Sequence, residues 1–350
     1  MRVFSCGNCG QAVYFENVIC ENCDTALGFD PAGLTMKPLY PAGDGKLATK
    51  AGRGGRQVYC ANYSHDVCNW LVAEKESGSL CLSCGLSRTI PDLSVPGNPE
   101  RWFEFEKAKR RLIYELLKLG LPVKQAGENN GVPSLAFDIL ADTKTGHENG
   151  VITLNVAEAD PAVRERTREQ FGEPYRTLLG HFRHESGHYY WLALIANGPA
   201  LKRFRELFGD ESADYAKALA AYHQRGPKSD WAQNFISAYA TAHPWEDWAE
   251  SWAHYLHMVD TLETAADYRL DPRLPYGKSA SRAWFESPNG DPYRASSAMK
   301  LVDRWIPLAL AINSLNRSMG LSDFYPFIVS PRAAEKLDFV HQVIRSARGV

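Results

Sequence analysis

The sequence predicts an α+β protein: a small four-cysteine module, then a mainly helical domain with a small antiparallel sheet. Three observations predict it. All eight cysteines lie at or before Cys84, in a chain of 350 residues. Two segments rich in β-branched and aromatic residues, "LAFDIL" and "VITLNV", follow close together. From residue 161 onward the chain reads as helix after helix, with no internal repeat.

The bulk numbers set the frame. A length of 350 residues suits one large domain plus a small one. A hydrophobic content of 45% is that of a soluble globular protein. With 39 basic against 41 acidic residues, nothing demands nucleic acid or an anionic membrane as partner. The first residues do not read as a secretory leader, so none is expected, and there is no run of about 18 uncharged apolar residues. The most apolar late segment, "WIPLALAINSL" (305–315), is too short to span a bilayer. A cytoplasmic protein with no membrane partner is expected.

The first module covers 1–97. "CGNC" (Cys6, Cys9) and "CENC" (Cys20, Cys23) are two CxxC turns, each able to aim two thiolates at one tetrahedral ion. Gly10 follows the first turn, where a positive φ is often required. Cys60 and Cys68 form a stretched counterpart to "CLSC" (Cys81, Cys84). Two structural zinc ions, each held by four cysteines, are expected, against disulfides or redox chemistry. Which cysteines share an ion is open at this stage, since an interleaved pairing is compatible with the spacing. The loop "YPAGDGKLATKAGRGGR" (40–56) carries Lys46, Lys50, Arg53 and Arg56 and reads as a solvated loop or a partner-contacting one. "SRTIPDLSVPGNPERW" (87–102) reads as a linker. The second domain is placed at 98–350.

In that domain 100–121 is helical by its three- and four-residue apolar steps. "LAFDIL" and "VITLNV" read as an antiparallel pair. Helices are expected at 162–170, 173–196, 200–208, 211–224, 230–241, 244–263, 297–319 and 331–347.

The chemistry centres on "LLGHFRHESGHYYW" (178–191). On a helix His184 and His188 lie on one face, four residues apart, and both can serve one metal. Glu185 is placed to reach a metal-activated water. Gly187 is expected to leave room above the metal. The motif alone also arises by chance, so a third ligand has to be found. "SAYATAHPWEDWAESWAHYLHMVDTLETA" (237–265) offers Glu246 and Glu250, again four apart. One carboxylate would complete the metal site, and the other would accept the free N–H of a ligating histidine.

His184-Glu185-x-x-His188, followed by Tyr239, Glu246 and Glu250, resembles the glutamate-type zincins such as the protease domain of anthrax lethal factor. The whole chain, with "GEPYRTLLGHFRHE" and "HPWEDWAESWAHYLH", resembles a bacterial family of zinc-binding metallopeptidases with an N-terminal zinc ribbon. The resemblance implies Glu246 as third ligand of a catalytic zinc, Glu250 as its supporting acid and Tyr239 as donor to the oxyanion. Glu185 would be the general base of peptide-bond hydrolysis. It implies one catalytic zinc beside the two structural ones and a peptide or protein substrate. The strand "VITLNV" (151–156) is expected to pair with an extended peptide if its edge is exposed. A protein partner through the ribbon is compatible with this. The rival reading is a ribbon-based interaction or nucleic-acid-associated protein with an inactive or occluded hydrolase centre. Arg183, His181, His243, His254 and His257 are lesser candidates for the site.

Overall fold

The computed structural model describes residues 2–43, 45–52, 54–123, 133–272 and 290–348. The fold is mixed α+β, and it divides into two compact units, Met1–Lys118 with Pro122–Arg166 and Leu119–Leu121 with Thr167–Val350.

Short strands alternate with cysteine turns at the start of the first unit. β1 (Phe4–Ser5) pairs with β2 (Ala12–Val13), and Gly10 between them takes φ +79°. β3 (Ala26–Asp30), β4 (Thr35–Pro41) and β5 (Leu47–Ala48) form an antiparallel sheet, and β6 (Gln57–Tyr59) pairs with β7 (Leu71–Ala73). β8 (Ser87–Thr89) and α1 (Asn98–Lys118) come next. β9 (Ala136–Leu140), β10 (Gly146–Glu148) and β11 (Val151–Asn155) follow, and α2 (Pro161–Phe171) comes after them. A core of aromatic rings joins ribbon to helix. Phe15 meets Phe29 at 4.8 Å and Tyr114 of α1 at 5.5 Å, while Trp70 meets Phe29 at 5.0 Å.

The sheet differs from expectation in two ways. Its order is β10-β11-β9-β8, and β11 runs parallel to β9. The antiparallel partner of β11 is β10, joined to it through Asn149 (φ 48°) and Gly150 (φ 89°). Two left-handed residues in an Asn-Gly loop make a type I′ hairpin. The polar stretch read as a connection thus supplies a strand. Because β11 has a neighbour on each side, it offers no free edge, which weakens the expectation that 151–156 receives an extended peptide. The supposed linker also contributes structure. β8 lies parallel to β9, with Arg88 ion-paired to Asp138.

The second unit is helical: α3 (Leu178–Leu194), α4 (Ala200–Phe208), α5 (Tyr215–Arg225), α6 (Trp231–Asn234), α7 (Pro244–Asp267), α8 (Ala298–Ser318) and α9 (Pro331–Ala347). Thr177, Asp214 and Ser330 cap α3, α5 and α9 by accepting backbone N–H bonds. These caps explain why α3 and α5 begin later than their apolar patterns suggest. The helix expected over 230–241 breaks after one turn. The Asn234 carbonyl accepts Lys336 Nζ at 2.8 Å, and a separate 3-10 turn forms at Tyr239–Thr241. α7 is buried on most faces, with Trp248, Trp252, Leu256 and Val259 fully enclosed. No helix of the described residues is long and apolar enough to cross a membrane.

Candidate metal centre

α3 and α7 approach closely because Gly187 has no side chain. A Cβ there would lie 2.9 Å from the Ala249 Cα and 3.3 Å from Trp252. The glycine therefore serves helix crossing, and does not open space above a metal as its position in the motif suggested. Two tryptophans of α7 fasten the crossing. Trp248 Nε1 donates to the Gly187 carbonyl at 2.8 Å, and Trp252 Nε1 to Ser186 Oγ at 3.1 Å.

The crossing brings His184, His188 and Glu246 together, with ligand atoms all within 4.8 Å of one another. Glu246 Oε2 lies 3.0 Å from His184 Nε2 and 3.7 Å from His188 Nε2. Its other oxygen, Oε1, accepts from the Tyr215 hydroxyl at 2.6 Å. On the far side of the ring, His184 Nδ1 donates to Glu250 Oε1 at 2.7 Å. Ser237 Oγ completes the chain by donating to Glu250 Oε2 at 2.6 Å. The hydrogen bond to Glu250 fixes the ring so that His184 Nε2 faces Glu246 and the cluster.

The electrostatics follow from burial among charges. Burial opposes a charge on His184, yet Glu246 and Glu250 override it and hold the imidazole well above its usual pKa. Burial opposes a charge on Glu246 too, and His188 and His184 hold that carboxyl well below its usual range. Burial, and then the charge of Glu246, push the Tyr239 hydroxyl far up. Glu185 and Glu250 add to that push. Tyr239 therefore remains a protonated donor at any ordinary pH. Its ring stands 6.0 Å from His184. Glu185 is buried but for 9% of its surface.

Donor type and convergence fit one zinc ion, two imidazoles and a carboxylate being a familiar catalytic set. The residues gathered here are those the sequence singled out. It did not single out Tyr215 or Ser237, and no spacing rule could have, since both reach the cluster through tertiary contact. Among the lesser candidates, His243 caps α7 by accepting from Trp245 N. His254 bonds the Tyr325 hydroxyl at 2.7 Å. Arg183 is buried and bonded to His257 and to Asp260, the latter at 2.7 Å, so it is engaged away from the cluster.

Two further clusters lie in the first unit. Cys6, Cys9, Cys20 and Cys23 form one, and Cys60, Cys68, Cys81 and Cys84 the other. The pairing is sequential, not interleaved. Sulfur separations of 3.8, 3.6 and 3.7 Å are too long for disulfides. They match the edge of a tetrahedron with metal–sulfur bonds of about 2.3 Å, roughly 3.8 Å. Asn8 and Asn22 side chains donate to the first group, and backbone N–H groups of Trp70, Cys81 and Cys84 to the second. His65 stays outside both and packs against Trp102. In the basic loop Lys46, Lys50 and Arg56 are exposed, Lys50 lies over the Tyr40 ring, and Arg56 faces Glu74. Arg53 falls outside the described residues.

Residues 98–343 match a family model described as "putative zinc-binding metallo-peptidase", and residues 3–95 match one described as a zinc-ribbon domain. Three curated relatives, each named an uncharacterized protein, come from Mycobacterium bovis and two strains of Mycobacterium tuberculosis. Each is 42% identical over 351 residues, covering 98% of this chain and 95% of the relative. No solved structure matches the chain.

Proposed function

The chain belongs to the family described as putative zinc-binding metallo-peptidase, and from that premise we propose that it hydrolyses peptide bonds at the His184–His188–Glu246 cluster. The observation that carries the reading is the convergence of those three ligand atoms beside a nearly buried carboxylate, Glu185. Zinc held there would supply Lewis acidity towards a peptide carbonyl and make water a stronger acid. Glu185 takes a proton from the attacking water and returns it to the leaving amine. Tyr239 donates a hydrogen bond to the oxyanion as the carbonyl becomes tetrahedral. Glu250, fixed by Ser237, orients His184, and Tyr215 orients Glu246. His184 and His188 keep 14% and 15% of their side-chain surface exposed, which argues against an occluded centre.

The two cysteine clusters are assigned one structural zinc each, giving three ions per chain with the catalytic one. The test combines metal content with digestion of a peptide library. Wild type is expected to carry three zinc ions and to cleave. Glu185→Gln keeps three and loses nearly all cleavage, and Glu246→Ala keeps two. Full catalytic zinc in the Glu246→Ala protein would refute the ligand assignment. A zinc-loaded wild type that cleaves nothing, yet binds DNA or RNA in a salt-sensitive way, would favour the ribbon-based reading.

A further inference from the structure

A groove of about 550 Å3 runs along α5 and the segment that leads into α7. Its size is that of a ligand site. Much of its wall is small and apolar, with Ala218 and Ala221 from α5 and Ala240 and Ala242 from the opposite side. The charges on it are of one sign. Arg225 and Lys228 line it, and no aspartate or glutamate does among the described residues. Lys228 Nζ rests 5.2 Å from the centre of the Phe235 ring, and Arg225 has no ion-pair partner among the described residues. His243 also lines it, but both its ring nitrogens are already engaged, one with Trp245 N and one with the Ala213 carbonyl.

The groove adjoins the metal cluster through aromatic contacts. Tyr222 lines the groove and meets the Tyr239 ring at 5.6 Å. His243 meets the Tyr215 ring at 5.2 Å, and Tyr215 in turn bonds Glu246. A chain held in the groove therefore lies one aromatic layer from the reacting centre. Small apolar walls accept an extended backbone with short side chains. Arg225, and Lys228 although Asp247 already lies within its field, favour an anion on it, because charge complementarity sets which partner is accepted.

We infer that this groove holds part of the substrate, a peptide segment carrying an aspartate or glutamate among small apolar residues. The inference rests on the peptidase reading, but its test does not need turnover. Zinc-loaded Glu185→Gln protein is titrated with three fluorescent peptide pools, identical except for a central Glu, Gln or Lys. The Glu pool is expected to bind about fivefold more tightly than the Gln pool, and the Lys pool least. Arg225→Gln/Lys228→Gln should level the three, and Arg225→Glu/Lys228→Glu should invert the order. Unchanged circular dichroism and zinc content would show that the fold persists in both. Equal binding of the pools, no measurable binding, or a preference that survives both double variants overturns the inference. Cleavage by wild type without acidic preference would sink the groove and spare the peptidase. Acidic binding without any cleavage would do the reverse.

Discussion

Glu246 gives its two oxygens different tasks. Oε2 faces the two imidazoles, and Oε1 is held by the Tyr215 hydroxyl. Two tyrosines of the same neighbourhood should therefore respond differently to loss of a hydroxyl. Tyr239→Phe is expected to keep zinc and KM while kcat falls by about 10²–10³, the usual loss for one oxyanion donor. Tyr215→Phe should instead weaken catalytic zinc by about 10–100-fold, as loss of a ligand's orienting partner does. Competition against a chromogenic chelator measures the second, and steady-state kinetics at saturating zinc the first. The imidazole pair and Glu185 are legible from helical spacing alone. Glu246 and Glu250 were legible as a pair from their own four-residue spacing, but the family resemblance was needed to say which of them meets the metal and to bring in Tyr239, because a separation of some 60 residues carries no periodic signal. Tyr215 and Ser237 lay beyond both.

At the scale of helices, the centre depends on how closely α3 passes α7. Gly187→Ala sets two effects against each other. Alanine favours a helix by about 1 kcal/mol over glycine. Its methyl group would meet the Ala249 backbone and Trp252, which cannot yield while Trp248 and Trp252 keep their hydrogen bonds to α3. Overpacking of that kind costs about 1–3 kcal/mol, so net destabilisation and weaker catalytic zinc are expected, read by thermal unfolding and metal titration. α7 is also tied to α9 by a buried pair, Asp247 with Lys336 at 2.6 Å. Asp247→Ala strands a buried ammonium and should cost about 3–5 kcal/mol, whereas Asp247→Leu/Lys336→Met should cost far less. Chemical denaturation of both variants decides it. The long helices were legible because their apolar stripes repeat. The break after Asn234 was not, since a lysine 102 residues further on causes it. The Asn149–Gly150 hairpin signal was present in the sequence, but the strand before it is three residues long and polar.

Across the whole chain, the two cysteine clusters differ in access. In the first, Cys9 is exposed, and hydrogen bonds from Thr25 and Asn8 push the Cys23 thiol down to about 6. In the second, all four cysteines are buried, and burial drives Cys68 and Cys81 far up. Excess chelator should strip the first ion quickly and leave the second, with alkylation marking Cys9 and Cys23 first. Native mass spectrometry would resolve the steps, and simultaneous loss of both ions would contradict the difference in burial. That the cysteines belong to a metal module was plain from their confinement to the first quarter of the chain. What composition could not reveal is where that module ends. The ribbon match stops at residue 95 and the peptidase match starts at 98, yet β8 and β9, from either side of that seam, are neighbours in one sheet. A peptidase cut free at the seam would bare the rim of β9, an unsatisfied row of amides inviting other chains to stack on it. The first segment therefore covers an edge that the second cannot cover alone, and the two are expected to need each other to stay folded in solution.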